Sequence, residues 1–180
     1  MKHRVSRFVF PLVLAMSSGV AWSADGVALE LGNGNGADMG RVGLVWDWGK
    51  KWFAEGDWHV GGYWDVSLGY WDAHSSAGGN NDIVDVGVTP VFRLQQNTLS
   101  GLAPYVEGGI GLRLLSATQV NADRKLGSAF QFGDHVGVGL RFGSKGQYDL
   151  GYRYQHLSNG GIKDPNQGIN FNQIRFTYRF

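Results

Sequence analysis

The 180-residue chain has no cysteine. That excludes a disulfide framework, a thiolate nucleophile and a cysteine-ligated metal, so an exported fold must be held by other means. After Ala24 no apolar run approaches the ~20 residues that a transmembrane helix needs, which excludes a helical anchor over that stretch. Charge of one sign is also lacking: 16 Lys and Arg stand against 15 Asp and Glu, with no basic run. A nucleic-acid-binding surface is not written in such a balance. His59, His74 and His135 show no metal-ligand spacing, and neither metal nor cofactor is implied.

The first 23 residues read as a leader. Lys2, Arg4 and Arg7 form a basic start, Phe8 to Met16 an apolar stretch too short to span a bilayer, and Ala21-Trp22-Ser23 carries small residues where a signal peptidase reads. We expect residues 1–23 to be cleaved and residues 24–180 to form one domain. Losing three basic residues leaves 13 basic against 15 acidic.

What the chain has in plenty is Gly (29), Phe (10), Trp (7) and Tyr (7), set in alternating order. In an extended strand, successive side chains point to opposite faces. Eight segments alternate. One face of each is apolar: Val27, Leu29 and Leu31; Val42, Leu44, Trp46 and Trp48; Val60, Trp64, Val66, Leu68 and Tyr70; Val84, Val86, Val88, Pro90, Phe92 and Leu94; Val106, Ile110, Leu112 and Leu114; Phe130, Phe132, Val136, Val138, Leu140 and Phe142; Tyr148, Leu150, Tyr152 and Tyr154; Ile174, Phe176, Tyr178 and Phe180. The opposite faces carry both charge signs, among them Asp65, Asp85, Arg93, Glu107, Arg113, Asp149, Arg153 and Arg175, with His59 and His135. The expected fold is all-β, an eight-stranded antiparallel transmembrane barrel with a polar, filled interior. A soluble β-sandwich would expose the aromatic faces to water, an aggregation hazard. The Ile-x-Phe-x-Tyr-x-Phe ending resembles the assembly signal of bacterial outer-membrane proteins and adds weight to the barrel, whose expected location is a Gram-negative outer membrane.

Topology then locates chemistry. With both termini in the periplasm, the seventh segment runs outward and ends in His156 and Ser158, on the face shared by Tyr152 and Tyr154. The eighth should place Asn170 across from His156, and the sixth should bring Asp134 close. A serine hydroxyl becomes nucleophilic when a base takes its proton, and a third group must hold the imidazole tautomer. Asn170 or Asp134 would serve. Backbone N–H groups of the Asn/Gly-rich loop Gly160 to Gln167 would meet an oxyanion. The plainer alternative is two polar side chains capping a strand at the membrane rim.

The motifs His156-x-Ser158-Asn159 and Pro165-Asn166-x-Gly168 resemble the lipid A 3-O-deacylases, the PagL family. The likeness extends to Trp46-Asp47-Trp48, Gly62-Tyr63-Trp64-Asp65, Pro104-Tyr105-x-Glu107 and Ser128-Ala129-Phe130-Gln131-Phe132. The resemblance implies Ser158 as nucleophile, His156 as general base, and Asn159 and Asn166 as support for the oxyanion. The family pattern has Glu where this chain has Asn170, which leaves Asp134 as an alternative acid. It implies lipopolysaccharide as substrate at the outer leaflet, with lipid around the barrel. Outward aromatics would form a lipid girdle, a homodimer face being the other use. Rival functions are a non-enzymatic adhesion or structural barrel, and another lipid acyl-group enzyme.

Overall fold

The structure, a computed structural model, describes residues 23–99 and 101–180; the expected leader, apart from Ser23, lies outside the described residues. In chain order the strands are β1 (Gly26–Gly34), β2 (Ala37–Asp47), β3 (Trp58–Ala73), β4 (Ile83–Gln96), β5 (Ala103–Leu115), β6 (Gln119–Asn121), β7 (Arg124–Lys125), β8 (Phe130–Phe142), β9 (Tyr148–Ser158) and β10 (Ile169–Arg179). Eight close into one barrel, each beside its sequence neighbour, and β6 and β7 form a separate hairpin. Pairing of β1 with β10 from Gly26↔Arg179 to Gly34↔Phe171 leaves no open edge.

The eight alternating segments become the eight barrel strands, with the expected parity. Leu29, Val66, Leu112, Val136 and Ile174 stand outward and exposed, while Glu30, Asp65, Arg113, His135 and Arg175 are buried inside. An apolar exterior this continuous is stable only against hydrocarbon. The termini and the turns at 48–57, 97–102 and 143–147 share the periplasmic end. The usual contrast of short periplasmic turns and long external loops is broken twice. The β1–β2 turn is external and very short, whereas segment 48–57 is long and periplasmic. That segment is tied back by the Trp52↔Val60 bridge and packs Trp48 on Phe92 at 4.9 Å. Its aromatics supply an interfacial girdle on one side of the barrel.

The lumen is filled in two layers. In the middle is an ion network. Glu30 lies 2.8 Å from Arg41 and 2.9 Å from Arg153, and it also contacts Arg175. Glu107 lies 2.6 Å from Arg93 and 2.7 Å from Arg153, and Asp65 lies 2.8 Å from Arg175. Paired in this way, the charges offset the desolvation that burial imposes. Toward the outside the filling turns apolar. Trp71, Ile83, Leu157, Ile169 and Phe171 cluster with Val120 and Leu126 from the β5–β8 loop. Trp71 meets Phe171 edge to face at 5.0 Å and donates its indole N–H to Asp85 at 3.0 Å. This apolar cap refines the expected polar interior, and it fixes the strand ends that carry the site.

Candidate active site

The pleat at the outer end of β9 and β10 does two jobs at once. Leu157, Ile169 and Phe171 point inward and are fully buried in the apolar cap. His156, Ser158 and Asn170, next to them in sequence, therefore point outward, half-buried. Packing inside the barrel thus sets the direction of the polar groups outside it.

The register brings the expected residues together. Asn170 pairs with His156 across β10–β9, and Asp134 pairs with His156 across β8–β9, where Phe132 faces Ser158. His156 Nδ1 and Asn170 Oδ1 are 2.6 Å apart. An amide oxygen only accepts, so Nδ1 carries the hydrogen, and Nε2 of the neutral ring is left as a base. Ser158, two residues along the same face, has its Cβ ~6.5–7 Å from that of His156, within reach by rotamer choice. Asp134 is exposed on the outer face, one strand over from His156.

The loop from Asn159 to Gly168 closes the site from outside, and buried Asn159 is its strut. Its Nδ2 donates to Leu126 O at 3.0 Å and Lys163 O at 2.6 Å, and its Oδ1 accepts from Gly161 N–H at 2.9 Å. Asn159 N–H donates to Asn166 Oδ1 at 3.0 Å. With Oδ1 engaged there, Asn166 presents its NH₂ donors. Asn159 has no side-chain donor to spare; it builds the loop, while Asn166 retains the donor capacity.

Gly168 has a stricter role than a place in a motif. Its φ is +62°, and a Cβ there would stand 2.8 Å from His156 Cε1 and 3.3 Å from Nε2. Both the left-handed backbone and the room for the imidazole require glycine. Sequence reasoning placed Gly168 in the motif without this reason. It also missed the β6–β7 hairpin as a buttress. Lys125 N–H donates to Gln167 Oε1 at 2.5 Å, and the Arg124 guanidinium donates to Gly168 O. Partners some 40 residues apart leave no local signal.

Beside His156 an apolar groove of about 540 Å³ crosses the outer face between Asp134, Tyr154 and Val136 on one side and Pro90, Phe92 and Ile110 on the other. Gly108 and Gly109 open it by offering no side chain. His59 and His135 are buried in the lumen as expected, and His74 sits in the β3–β4 loop.

Residues 38–179 match the family model described as lipid A 3-O-deacylase (PagL). The chain is 37% identical over 161 residues to the lipid A deacylase PagL of Pseudomonas aeruginosa, covering 87% of this chain and 89% of the relative. It is 33% identical over 179 residues to the lipid A deacylase PagL of Bordetella bronchiseptica, covering 96% and 93%. The crystal structure of the outer membrane enzyme PagL superposes with a TM-score of 0.75 at 31% identity, over 86% of this chain and 99% of that one. Neisserial surface protein A shares the fold alone, with a TM-score of 0.53 at 11% identity over 86% of this chain and 95% of its own. A match across most of the barrel, and relatives above 30% identity over nearly their full length, have one meaning: the chain belongs to the lipid A 3-O-deacylase (PagL) family.

Proposed function

We propose that this outer-membrane barrel is a serine-type ester hydrolase that releases the 3-O-linked hydroxyacyl chain of lipid A at the outer leaflet. The observation that carries this reading is the 2.6 Å contact between His156 Nδ1 and Asn170 Oδ1 on the lipid-facing side, with Ser158 on the same strand face. It leaves Nε2 free to take a proton beside a serine, at the depth where the acyl ester of a lipid lies.

In the first half-reaction His156 Nε2 accepts the Ser158 hydroxyl proton as Oγ attacks the ester carbonyl. The tetrahedral oxyanion is met by the NH₂ group of Asn166 and by backbone N–H groups of the loop, which Asn159 holds in shape. The imidazolium then protonates the departing 3-oxygen of the sugar, leaving an acyl-serine. In the second, His156 activates water, which attacks the acyl-serine, and the freed serine recovers its proton as the 3-hydroxy fatty acid leaves. The apolar groove beside His156 suits the hydrocarbon of the chain being removed. Asn170 orients the imidazole, and Asp134 is the carboxylate on the adjoining strand that offers negative charge. Outward aromatics such as Trp64 and Phe92 serve as girdle, with lipid rather than a second copy as their neighbour.

Purified protein incubated with lipopolysaccharide, followed by mass spectrometry, tests the reading. The expected result is loss of one hydroxyacyl chain, abolished by Ser158→Ala. An undiminished yield from that variant rejects Ser158 as nucleophile. A gained acyl chain would instead mean a transferase, and an unchanged substrate an inert barrel.

A further inference from the structure

We infer that the rim above the catalytic pair holds a phosphate-binding subsite built on Arg124, which positions the sugar headgroup of the substrate. The inference rests on the deacylase reading for its ligand, not for its geometry. Arg124 lies on β7, and its Nη1 donates to the carbonyl of Gly168, the residue packed against the His156 ring. The guanidinium is therefore tethered to the residue that the imidazole packs against. A guanidinium has five N–H donors in a planar fork. Among the described residues only Nη1 has a protein partner, and the half-buried side chain keeps Nε and Nη2 in contact with the surroundings.

The charge around it is also uncompensated. Lumen arginines such as Arg41, Arg93, Arg113, Arg153 and Arg175 each meet a carboxylate within 4 Å. Among the described residues Arg124, Lys125 and Lys163 meet none at that range. Lys125 on the hairpin and Lys163 in the β9–β10 loop that the hairpin braces are both exposed. Of the acids nearby in sequence, Asp123 accepts from Ser75 Oγ at 2.7 Å and Asp164 is exposed. A forked cation with donors to spare matches a phosphate monoester, which takes bidentate, charge-assisted hydrogen bonds. Lipid A supplies that group in the right place: the ester at position 3 and the phosphate at position 1 sit on one glucosamine ring. With the ester carbonyl at Ser158, the phosphate falls a ring's width away, at headgroup level, where the β6–β7 hairpin stands.

The test compares bisphosphorylated lipid A with its 1-dephosphorylated form, both in detergent micelles. Direct binding is read with the Ser158→Ala protein, and hydroxy-acid release with the active enzyme. Expected are about tenfold tighter binding and a correspondingly lower KM for the bisphosphorylated lipid, a preference that Arg124→Gln brings close to unity. Arg124→Lys should keep part of it. The double variant Lys125→Gln/Lys163→Gln, which leaves the Gly168 tether intact, should reduce it in part. An equal loss on both lipids from Arg124→Gln would overturn the inference, since the arginine would then only brace Gly168. No preference in the unmutated protein would overturn it too. A binding preference without hydroxy-acid release would instead remove the deacylase reading and leave the phosphate subsite standing.

Discussion

At position 170 an amide oxygen accepts the His156 Nδ1 hydrogen, where the resemblance drawn from the sequence implies a carboxylate. Either group fixes the His156 tautomer, but only a carboxylate would also neutralise the imidazolium formed in the proposed reaction, when Ser158 gives up its proton. In serine proteases amide replacement of the triad acid costs about 10⁴ in rate. Asn170→Glu should therefore raise kcat for hydroxy-acid release, by roughly tenfold or more. Asp134→Asn should lower it if Asp134 supplies the missing charge, and a flat response to both changes would remove the third member from the mechanism. The grouping of His156, Ser158, Asn170 and Asp134 was legible in the sequence, because strand parity and hairpin register are local properties. Gly168 is different, since its role depends on a positive φ and on where an imidazole rests. For Gly168→Ala, left-handed strain of about 1–2 kcal/mol combines with displacement of the ring. We expect kcat to fall on the order of a hundredfold, as small misplacements of reacting groups do. Heat-modifiability on gels should show an intact barrel in the same variant.

The loop between β9 and β10 owes its shape to neighbours rather than to its own residues. Asn159 joins Leu126 and Lys163 through Nδ2 and holds Gly161 through Oδ1. Asn159→Ala leaves the buried Leu126 carbonyl without this partner, a cost of about 1–3 kcal/mol, and frees the part-buried Lys163 carbonyl and Gly161 N–H to water. Because the barrel strands do not depend on these bonds, the loss should stay local. Hydrogen exchange should quicken over residues 159–168 and not over β9 or β10, and hydroxy-acid release should fall. Uniform quickening along the barrel would mean that Asn159 acts on the whole fold. By residue type Asn121-Ala122-Asp123 marks a turn and nothing more. The turn is real, but β6 and β7 are too short for alternation to reveal, and their contact with the site depends on Leu126 entering the apolar cap.

Across the whole molecule, the exterior was easier to read than the interior. Outward parity follows from one rule repeated eight times, whereas the lumen is a set of contacts among strands far apart in sequence. Glu30 illustrates this. It shares the inward face with Ala28, yet nothing local marks it as the acid that gathers Arg41, Arg153 and Arg175. The consequence is a test of what holds a cysteine-free barrel closed. Removing the carboxylate takes one acid from Arg41, Arg153 and Arg175 and leaves them to Asp85, Glu107 and Asp65, in a lumen capped outwardly by Trp71, Phe171 and Leu126. Glu30→Ala should therefore cost about 3–5 kcal/mol, the usual penalty for breaking a buried pair from one side. Urea unfolding in lipid vesicles reads that loss. Pairing the change with Arg175→Met removes one of the cations that lost a partner, so the double variant should be less destabilised than the two single losses added together. Strict additivity would mean that the ion pairs act independently and that the hydrogen-bonded girdle of strands alone keeps the barrel shut.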